Sequence, residues 1–257
     1  MRSLWTGSIS FGLVNIPIKL YSATQSGSLN LDMLDKKDQS NIAFKRVNEK
    51  TGKEVAWENI IKGYKIDNQY VILSDEDFKK ASPEKTKTID ISEFTKLEEV
   101  PPIYYDSSYY IEPEKNGSKA YVLLRDSLIK SKKAAVGSFV LRNKENLCLI
   151  VPSEKILVLH KIRFAEEVRS TEDIKVPESK ISPAEMQMAT KLIDQLTGKF
   201  DISKYKDTYT ETLLKFIQAK AKGKKFAAPK LRVVHSDSKD LMSELKASLS
   251  HVKKKAS

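Results

Sequence analysis

The sequence predicts a mixed β/α protein in which a β-barrel or curled sheet comes first, a helical arm second and a basic tail last. Apolar and polar residues alternate with a period of two in the first half, helical signals dominate from residue 182, and lysines accumulate after residue 219. Hydrophobic residues make up 40% of the 257 residues and charged residues 31%, which is typical of a packed globular protein. We place the domain boundaries at 1–180, 181–222 and 223–257.

The predicted barrel rests on several short strands. The clearest one carries alternating apolar residues at Val14, Ile16, Ile18 and Leu20. Because Pro17 has no N–H to donate to a ladder, we expect this strand to lie at a sheet edge or to contain a bulge. Residues 63–73 predict a hairpin that turns at Asp67-Asn68.

Further strands are predicted in the second half of the core. They cover residues 109–111, 138–142, 147–151 and 156–164. In the last strand one face carries Ile156, Val158, Ile162 and Phe164, with His160 among them. We interpret His160 as a satisfied core or edge histidine rather than a catalytic base.

Helices are predicted at 119–131 and again from Ser182 onward. The first has one buried stripe, made of Tyr121, Leu124 and Leu128. The segment Ser182-Pro183-Ala184-Glu185 is a capping box with proline at the first helical position, which marks a helix start. An apolar stripe follows, at Met186, Ala189, Ile193 and Leu196, and Gly198 ends the helix.

The last two helices differ in what surrounds them. A helix over 207–222 is predicted to bury Leu213, Phe216 and Ile217. A Lys-rich linker without helical periodicity occupies 223–238. The final short helix then carries Leu241, Leu245, Leu249 and Val252 along one side. We found no internal repeat.

Charge is sorted along the chain. The net charge is +11, and residues 219–257 hold eleven Lys/Arg against three Asp/Glu. Residues 66–114 hold five lysines against twelve acids, whereas residues 115–144 hold eight basic residues against one acid. This separation favours a polyanionic partner on one side of the protein over mixed charge that only promotes solubility.

Motifs for catalysis or for a cofactor are not visible in the sequence. Neither G-x-x-x-x-G-K-[ST] nor G-x-G-x-x-G occurs, the three histidines are far apart, and Cys148 is the only cysteine. We therefore expect no cofactor, no metal site and no enzymatic activity. No run of eighteen apolar residues occurs, so we expect no membrane span and a cytoplasmic protein.

Three local patterns resemble catalytic motifs, and simpler structural roles explain each. Lys65-Ile66-Asp67-Asn68 resembles the K-x-D-G nucleophile motif of ATP-dependent ligases, but the glycine is missing and a hairpin explains it. Ser127-Leu128-Ile129-Lys130 matches S-x-x-K without its partner motifs, and a helix surface accounts for it. Asp75-Glu76-Asp77 could ligate Mg²⁺, but adjacent acids more often cap a helix.

Several segments of the sequence match one known family, in order along the chain. They are residues 2–21 (RSLWTGSISFGLVNIPIKLY), 62–64, 70–73, 75–77, 109–113, 120–124, 139–142 and 241–249. On these segments the sequence resembles the prokaryotic Ku proteins of non-homologous end joining, and residues 2–21 look like the opening strands of that family. The likeness extends over nearly the whole chain.

The resemblance implies a Ku-type β-barrel core whose helical arm intertwines in a two-fold homodimer. It also implies an extended strand excursion from each subunit, and two such excursions close a bridge over DNA. By position this excursion falls near 30–62. It implies sequence-independent binding and protection of double-stranded DNA ends at the nucleoid, and recruitment or stimulation of an ATP-dependent DNA ligase.

Candidate DNA-binding residues follow from the basic segments. They are Lys45, Arg46, Lys50 and Lys53 in the excursion, Lys130, Lys132, Lys133, Arg142 and Lys144 in the core, and Lys224, Lys225, Lys253, Lys254 and Lys255 in the tail. Leu241, Leu245 and Leu249 are candidates for docking the ligase, although the same helix could instead fold back on the core. Two other function classes stay open: a non-threading DNA-coating protein of the chromatin type, and an end-processing enzyme.

Overall fold

The computed structural model describes residues 1–81, 87–142, 144–224 and 241–255. The strands are β1 (Trp5–Phe11), β2 (Val14–Ser22), β3 (Lys62–Ile66), β4 (Gln69–Leu73), β5 (Thr88–Lys96), β6 (Tyr105–Pro113), β7 (Lys133–Leu141), β8 (Lys144–Ser153) and β9 (Ile156–Ile162). The helices are α1 (Asp75–Ala81), α2 (Ser118–Ser131), α3 (Pro183–Leu196), α4 (Thr208–Ala221) and α5 (Leu241–Lys255). The chain divides into two compact units, one of residues 1–26 and 30–170, the other of residues 27–29 and 171–257.

Seven strands form a closed barrel in the first unit. Their order is β1-β2-β6-β9-β8-β7-β5, and β5 pairs with β1 to close it. The closing pair is parallel, with Ile9 opposite Ile89, while the other neighbours in the barrel are antiparallel. The predicted mixed β/α class with a barrel core is confirmed.

The alternation in β2 points one set of side chains into the core. Ile16, Ile18 and Leu20 are almost fully buried, as the sequence predicts. The expectation that Pro17 marks an edge or a bulge was wrong, because the β1–β2 register runs unbroken through it. The carbonyl of Pro17 accepts a hydrogen bond from Glu114 N, just beyond the end of β6, so no strand there needs the missing N–H.

Strand β9 is buried on both faces, which its sequence pattern only half indicates. Leu157 and Leu159 join the main core, whereas Ile162 belongs to a second cluster with Ala134 and Leu149. His160 lies on the same face of β9 as Ile162, and its Nδ1 is 2.9 Å from the Ser108 hydroxyl. The interpretation of a satisfied histidine is confirmed.

Helix α2 packs on the barrel through the predicted stripe of Tyr121, Leu124 and Leu128. The buried Tyr121 hydroxyl donates to the Ile111 carbonyl at 2.8 Å and accepts from Leu157 N at 2.7 Å. It therefore ties the helix to β6 and β9 at once, and burial raises the pKa of Tyr121.

The chain between β2 and β5 lies outside the barrel sheet. Residues 30–61 contain two isolated bridges, Leu34↔Asn41 and Val47↔Glu54, and nearly all of them are exposed. The hairpin β3–β4 follows, and Asp67 and Asn68 both adopt positive φ at its turn, as predicted. Helix α1 then begins beside Ser74.

The second unit contains three helices. Ser182 and Glu185 form the predicted capping box of α3, and Asp207 caps α4. Helix α5 packs against α3, where Met188, Ala189 and Leu192 are half-buried. The expectation that α4 buries Phe216 and Ile217 was wrong, because both are exposed and only Leu213 is half-buried.

One glycine sits where the barrel closes. A Cβ at Gly7 would lie 2.2 Å from the Lys87 carbonyl oxygen and 2.3 Å from the Trp5 ring. We predict that Gly7→Ala lowers the free energy of unfolding by about 1–3 kcal/mol, because overpacking forces β1 away from β5. Urea denaturation measures this. Gly27→Ala, where nothing lies within 4 Å of the new methyl group, is the control and should change stability by less than about 1 kcal/mol. Equal effects would contradict the role of Gly7 in closure.

Candidate nucleic-acid interface

The excursion, residues 30–62, presents two lysines on a tight loop. The Asn48 side chain accepts hydrogen bonds from Lys50 N and Thr51 N, and Asn48 N donates to the Lys53 carbonyl. Gly52 adopts a φ of +66°, which closes the loop. Lys50 and Lys53 are therefore exposed on a loop whose backbone is held by its own hydrogen bonds.

The other two candidate DNA-binding residues of the excursion, Lys45 and Arg46, already have partners. Lys45 Nζ forms an ion pair with Glu54 at 2.7 Å, across the Val47↔Glu54 bridge region. The Arg46 guanidinium lies 4.4 Å from the centre of the Trp57 ring. The stacked arginine keeps its charge available to an anion, whereas the charge of Lys45 is offset by a carboxylate.

A second basic group lies at the junction between α2 and β7. We call Lys130, Lys132 and Lys133, together with Lys96, the junction lysines. Lys132 ends α2 in the left-handed conformation, with φ of 54°, and its N–H bonds the last turn. Lys96 on β5 is directly opposite Lys133 on β7. Among the residues that the structure describes, no carboxylate lies within ion-pair distance of a junction lysine.

The third basic group is at the other end of β7. Arg142 occupies the turn into β8 with φ of 54°, and Lys144 forms an ion pair with Glu167 at 3.3 Å. Strand β7 has nine residues, so about 26 Å separates this turn from Lys133. The basic candidates between Lys130 and Lys144 are close together in the sequence, but in the structure they form two separate groups.

The tail candidates are only partly within the described structure. Lys224 is exposed after α4, and Lys225 lies outside the described residues, as does most of the predicted linker. The three C-terminal lysines, Lys253, Lys254 and Lys255, end α5. Leu241, Leu245 and Leu249 also belong to α5, in which Leu245 is half-buried.

The patterns that resemble catalytic motifs have structural roles. Asp67 and Asn68 form the hairpin turn, and the Asp77 carboxylate accepts hydrogen bonds from Ser74 N and Ser74 Oγ at the start of α1. These bonds lower the pKa of Asp77. Ser127 and Lys130 lie exposed on α2. The position of each of these residues in the fold accounts for the pattern, and no catalytic activity is needed to explain it.

Other reactive groups are buried. Burial raises the pKa of the Cys148 thiol to about 12, and it lowers the pKa of His160. No cluster of three or more metal-ligating side chains occurs in the part of the chain that the structure describes. Nor does any helix in those ranges have the length and apolar character to cross a membrane.

Sequence reasoning missed Lys96 and the Arg46–Trp57 contact. Lys96 lies on β5, a strand that the sequence did not predict, so its position opposite Lys133 had no visible signal. Arg46 and Trp57 are eleven residues apart in an irregular segment, where no periodicity predicts contacts. Both features arise from tertiary placement.

Comparison with known proteins gives a consistent family. The profile described as "Ku70/Ku80 beta-barrel domain" matches residues 10–188. A protein of Opitutus terrae named "Non-homologous end joining protein Ku" is 41% identical over 238 residues, which cover 90% of this chain and 86% of that protein. Proteins of the same name from Bacillus subtilis and Archaeoglobus fulgidus are each 39% identical and cover 99% and 98% of this chain, and 83% and 100% of their own lengths.

Trp57 offers a direct test of the excursion as an interface. Its side chain is 71% exposed and stacks on Arg46, whereas Trp5 is half-buried at the barrel. We predict that linear duplex DNA changes the tryptophan fluorescence, because phosphates that attract Arg46 alter the environment of Trp57. When linear duplex is titrated into the Trp5→Phe variant, most of the fluorescence change should remain. In the Trp57→Phe variant the change should be lost. The reverse pattern would contradict contact at the excursion.

Proposed function

Because the chain belongs to the Ku family of non-homologous end joining proteins, we propose that it binds the ends of double-stranded DNA as a ring-shaped homodimer. In this proposal it protects the ends and brings a DNA ligase to them. The observation that carries the proposal is the family match, which covers residues 10–188 and so includes the excursion and all of the barrel except most of β1.

Exposed apolar residues in the helical unit support a homodimer. On α3, Met186, Ile193 and Leu196 are each more than half exposed, and on α4 Phe216 and Ile217 are also exposed. Contiguous exposed apolar surface is characteristic of interaction sites. We propose that the arm, residues 181–222, supplies most of the contact with a second copy.

The excursion supports a ring rather than an open cradle. It leaves apolar side chains in solvent, with Phe44 80% exposed, and it makes little regular structure of its own. We propose that two excursions, one from each copy, meet over the duplex. A closed ring selects ends by topology, because a duplex enters it only where the duplex stops.

Lysine contacts with phosphate account for binding without sequence preference. A lysine ammonium is a point charge, and it lacks the planar fork with which arginine reads guanine. We propose contacts from Arg46, Lys50, Lys53 and Arg142 and from the junction lysines. Lys45 and Lys144 contribute less, since each must first exchange a carboxylate partner for phosphate.

The C-terminal helix is proposed to dock the ligase through Leu241, Leu245 and Leu249. In this chain α5 packs against α3, so a ligase has to compete with that contact or bind the remaining side of α5. The lysines on either side, Lys224, Lys225, Lys253, Lys254 and Lys255, are proposed to hold DNA beside the ring at the nucleoid. The joining chemistry itself belongs to the ATP-dependent ligase, and this protein has no enzymatic step.

Threading predicts a preference for free ends. Linear duplex should compete for the protein at least about tenfold better than covalently closed duplex of the same sequence, because only the linear form can enter a ring. Competition against a labelled linear duplex measures this. A linear duplex with both ends blocked by bulky hairpin caps is the control, and it should behave as the closed form does.

Equal competition by linear and closed DNA would contradict threading. It would favour instead a protein that coats DNA from the side, as chromatin proteins do. Product formed from nicked DNA with ATP and Mg²⁺, in the absence of a ligase, would contradict the proposal that the protein has no chemistry of its own.

The role of α5 can be tested by truncation. Removal of residues 239–257 should leave dimerisation unchanged and reduce stimulation of the ligase several-fold, because the docking leucines are lost. Light scattering and a ligation assay measure the two properties. Lys253, Lys254 and Lys255 replaced together by Gln form the control, which keeps the leucines and separates docking from charge. Undiminished stimulation after truncation would exclude docking through α5.

A further inference from the structure

The junction lysines place two positive charges directly across a strand pair. In the β5–β7 register Lys96 is opposite Lys133, so their Cβ atoms are about 4.5–5.5 Å apart. Like charges in such a position destabilise a sheet. The pair therefore has no explanation in the stability of the isolated barrel.

Nearby carboxylates do not neutralise this pair. Lys96, Lys132 and Lys133 line one groove of about 570 Å³, and Glu98 is the acid among its lining residues. The Glu99 carboxylate accepts a hydrogen bond from the Thr95 hydroxyl at 2.8 Å. Within the described part of the chain, no carboxylate lies within 4.0 Å of any junction lysine.

The helix end explains only part of the cluster. Basic residues are favourable at a helix C-terminus, which accounts for Lys130 and Lys132 at the end of α2. Lys96 is on β5, outside the helix, so the dipole of α2 does not account for a positive charge at that position. A common ligand for Lys96, Lys132 and Lys133, which line one groove, explains what the helix dipole leaves unexplained.

The backbone under these lysines belongs to regular structure. Lys96 ends β5, Lys133 begins β7, and Lys132 is fixed by the left-handed end of α2. Their positions are therefore set by the barrel, in contrast to Lys50 and Lys53 on the excursion loop. A charged site on rigid elements is already organised before its ligand arrives.

We propose that the junction lysines form a binding site for adjacent backbone phosphates of duplex DNA, in which Lys96 and Lys133, on two neighbouring strands of the barrel, each neutralise one of two adjacent phosphates. The inference rests on the proposed DNA binding and assigns its main phosphate contact to one place. Bound phosphate relieves the repulsion between Lys96 and Lys133. The Lys96–Lys133 pair thus favours DNA binding but lowers the stability of the free protein.

The test uses Lys96→Gln, Lys133→Gln and the double variant in the full chain. Each single change should weaken binding to linear duplex about eightfold at 0.1 M salt and reduce the slope of log K against log salt by roughly 0.9. The double change should weaken it roughly sixtyfold. Each single change should also raise the melting temperature of the free protein by about 1–3 °C, and the double change should add little more.

Lys119→Gln removes an exposed lysine at the N-terminal end of α2, away from the junction, and is the matched control that should alter neither property. Unchanged affinity and slope in the Lys96 and Lys133 variants, with DNA binding by the unaltered protein intact, would overturn the site and leave the proposed function standing. Loss of affinity with a lowered melting temperature would indicate damage to the barrel and would also overturn it. If millimolar inorganic phosphate stabilised the protein as much as duplex does, the site would hold free anions instead.

Discussion

The parallel pairing of β1 with β5 is the contact on which the barrel depends. It joins the first strand to one that begins some eighty residues later, and it removes the last free edge from the sheet. The Trp5 ring lies over Gly7, meets Phe139 edge-on at 6.0 Å, and donates from Nε1 to the Val140 carbonyl. A contact between such distant segments closes a long loop, so we expect this step to come late in folding.

This closure also determines where the excursion is attached. Strand β1 lies between β2 and β5 in the sheet, and the chain leaves the barrel at the end of β2 and returns at the start of β5. Both ends of the inserted segment are thus held by neighbours of one strand. The segment can be poor in regular structure, with two isolated bridges in residues 30–61, and still start and end at fixed points. A rigid base for an irregular binding loop is a common arrangement in proteins.

Local signals predicted what local forces determine, and tertiary contacts account for the failures. The alternation around Ile16 and Ile18, the Asp67-Asn68 turn and the Ser182 cap all depend on neighbours in sequence, and all were confirmed. Strand β5 was missed because a register shift between Ile91 and Glu93 interrupts its period of two. The prediction for Pro17 was wrong because the effect of its missing N–H depends on where β6 ends, which the sequence does not encode locally. The candidate site shows the same division, since the basic segments were visible but the opposition of Lys96 and Lys133 was not.

The pairing of each charge matters more for DNA binding than the net charge of +11. Cations condensed on DNA are released only where a protein cation neutralises a phosphate, and a lysine already paired with a carboxylate neutralises a phosphate less fully. Lys45 and Lys144, paired with Glu54 and Glu167, therefore add to the formal charge without adding equally to salt dependence. A lysine without a carboxylate partner can neutralise a phosphate and displace its condensed cation. Some basic residues of this surface are paired with carboxylates and others are not. We therefore expect DNA affinity to fall less steeply with salt than the number of basic residues alone would suggest.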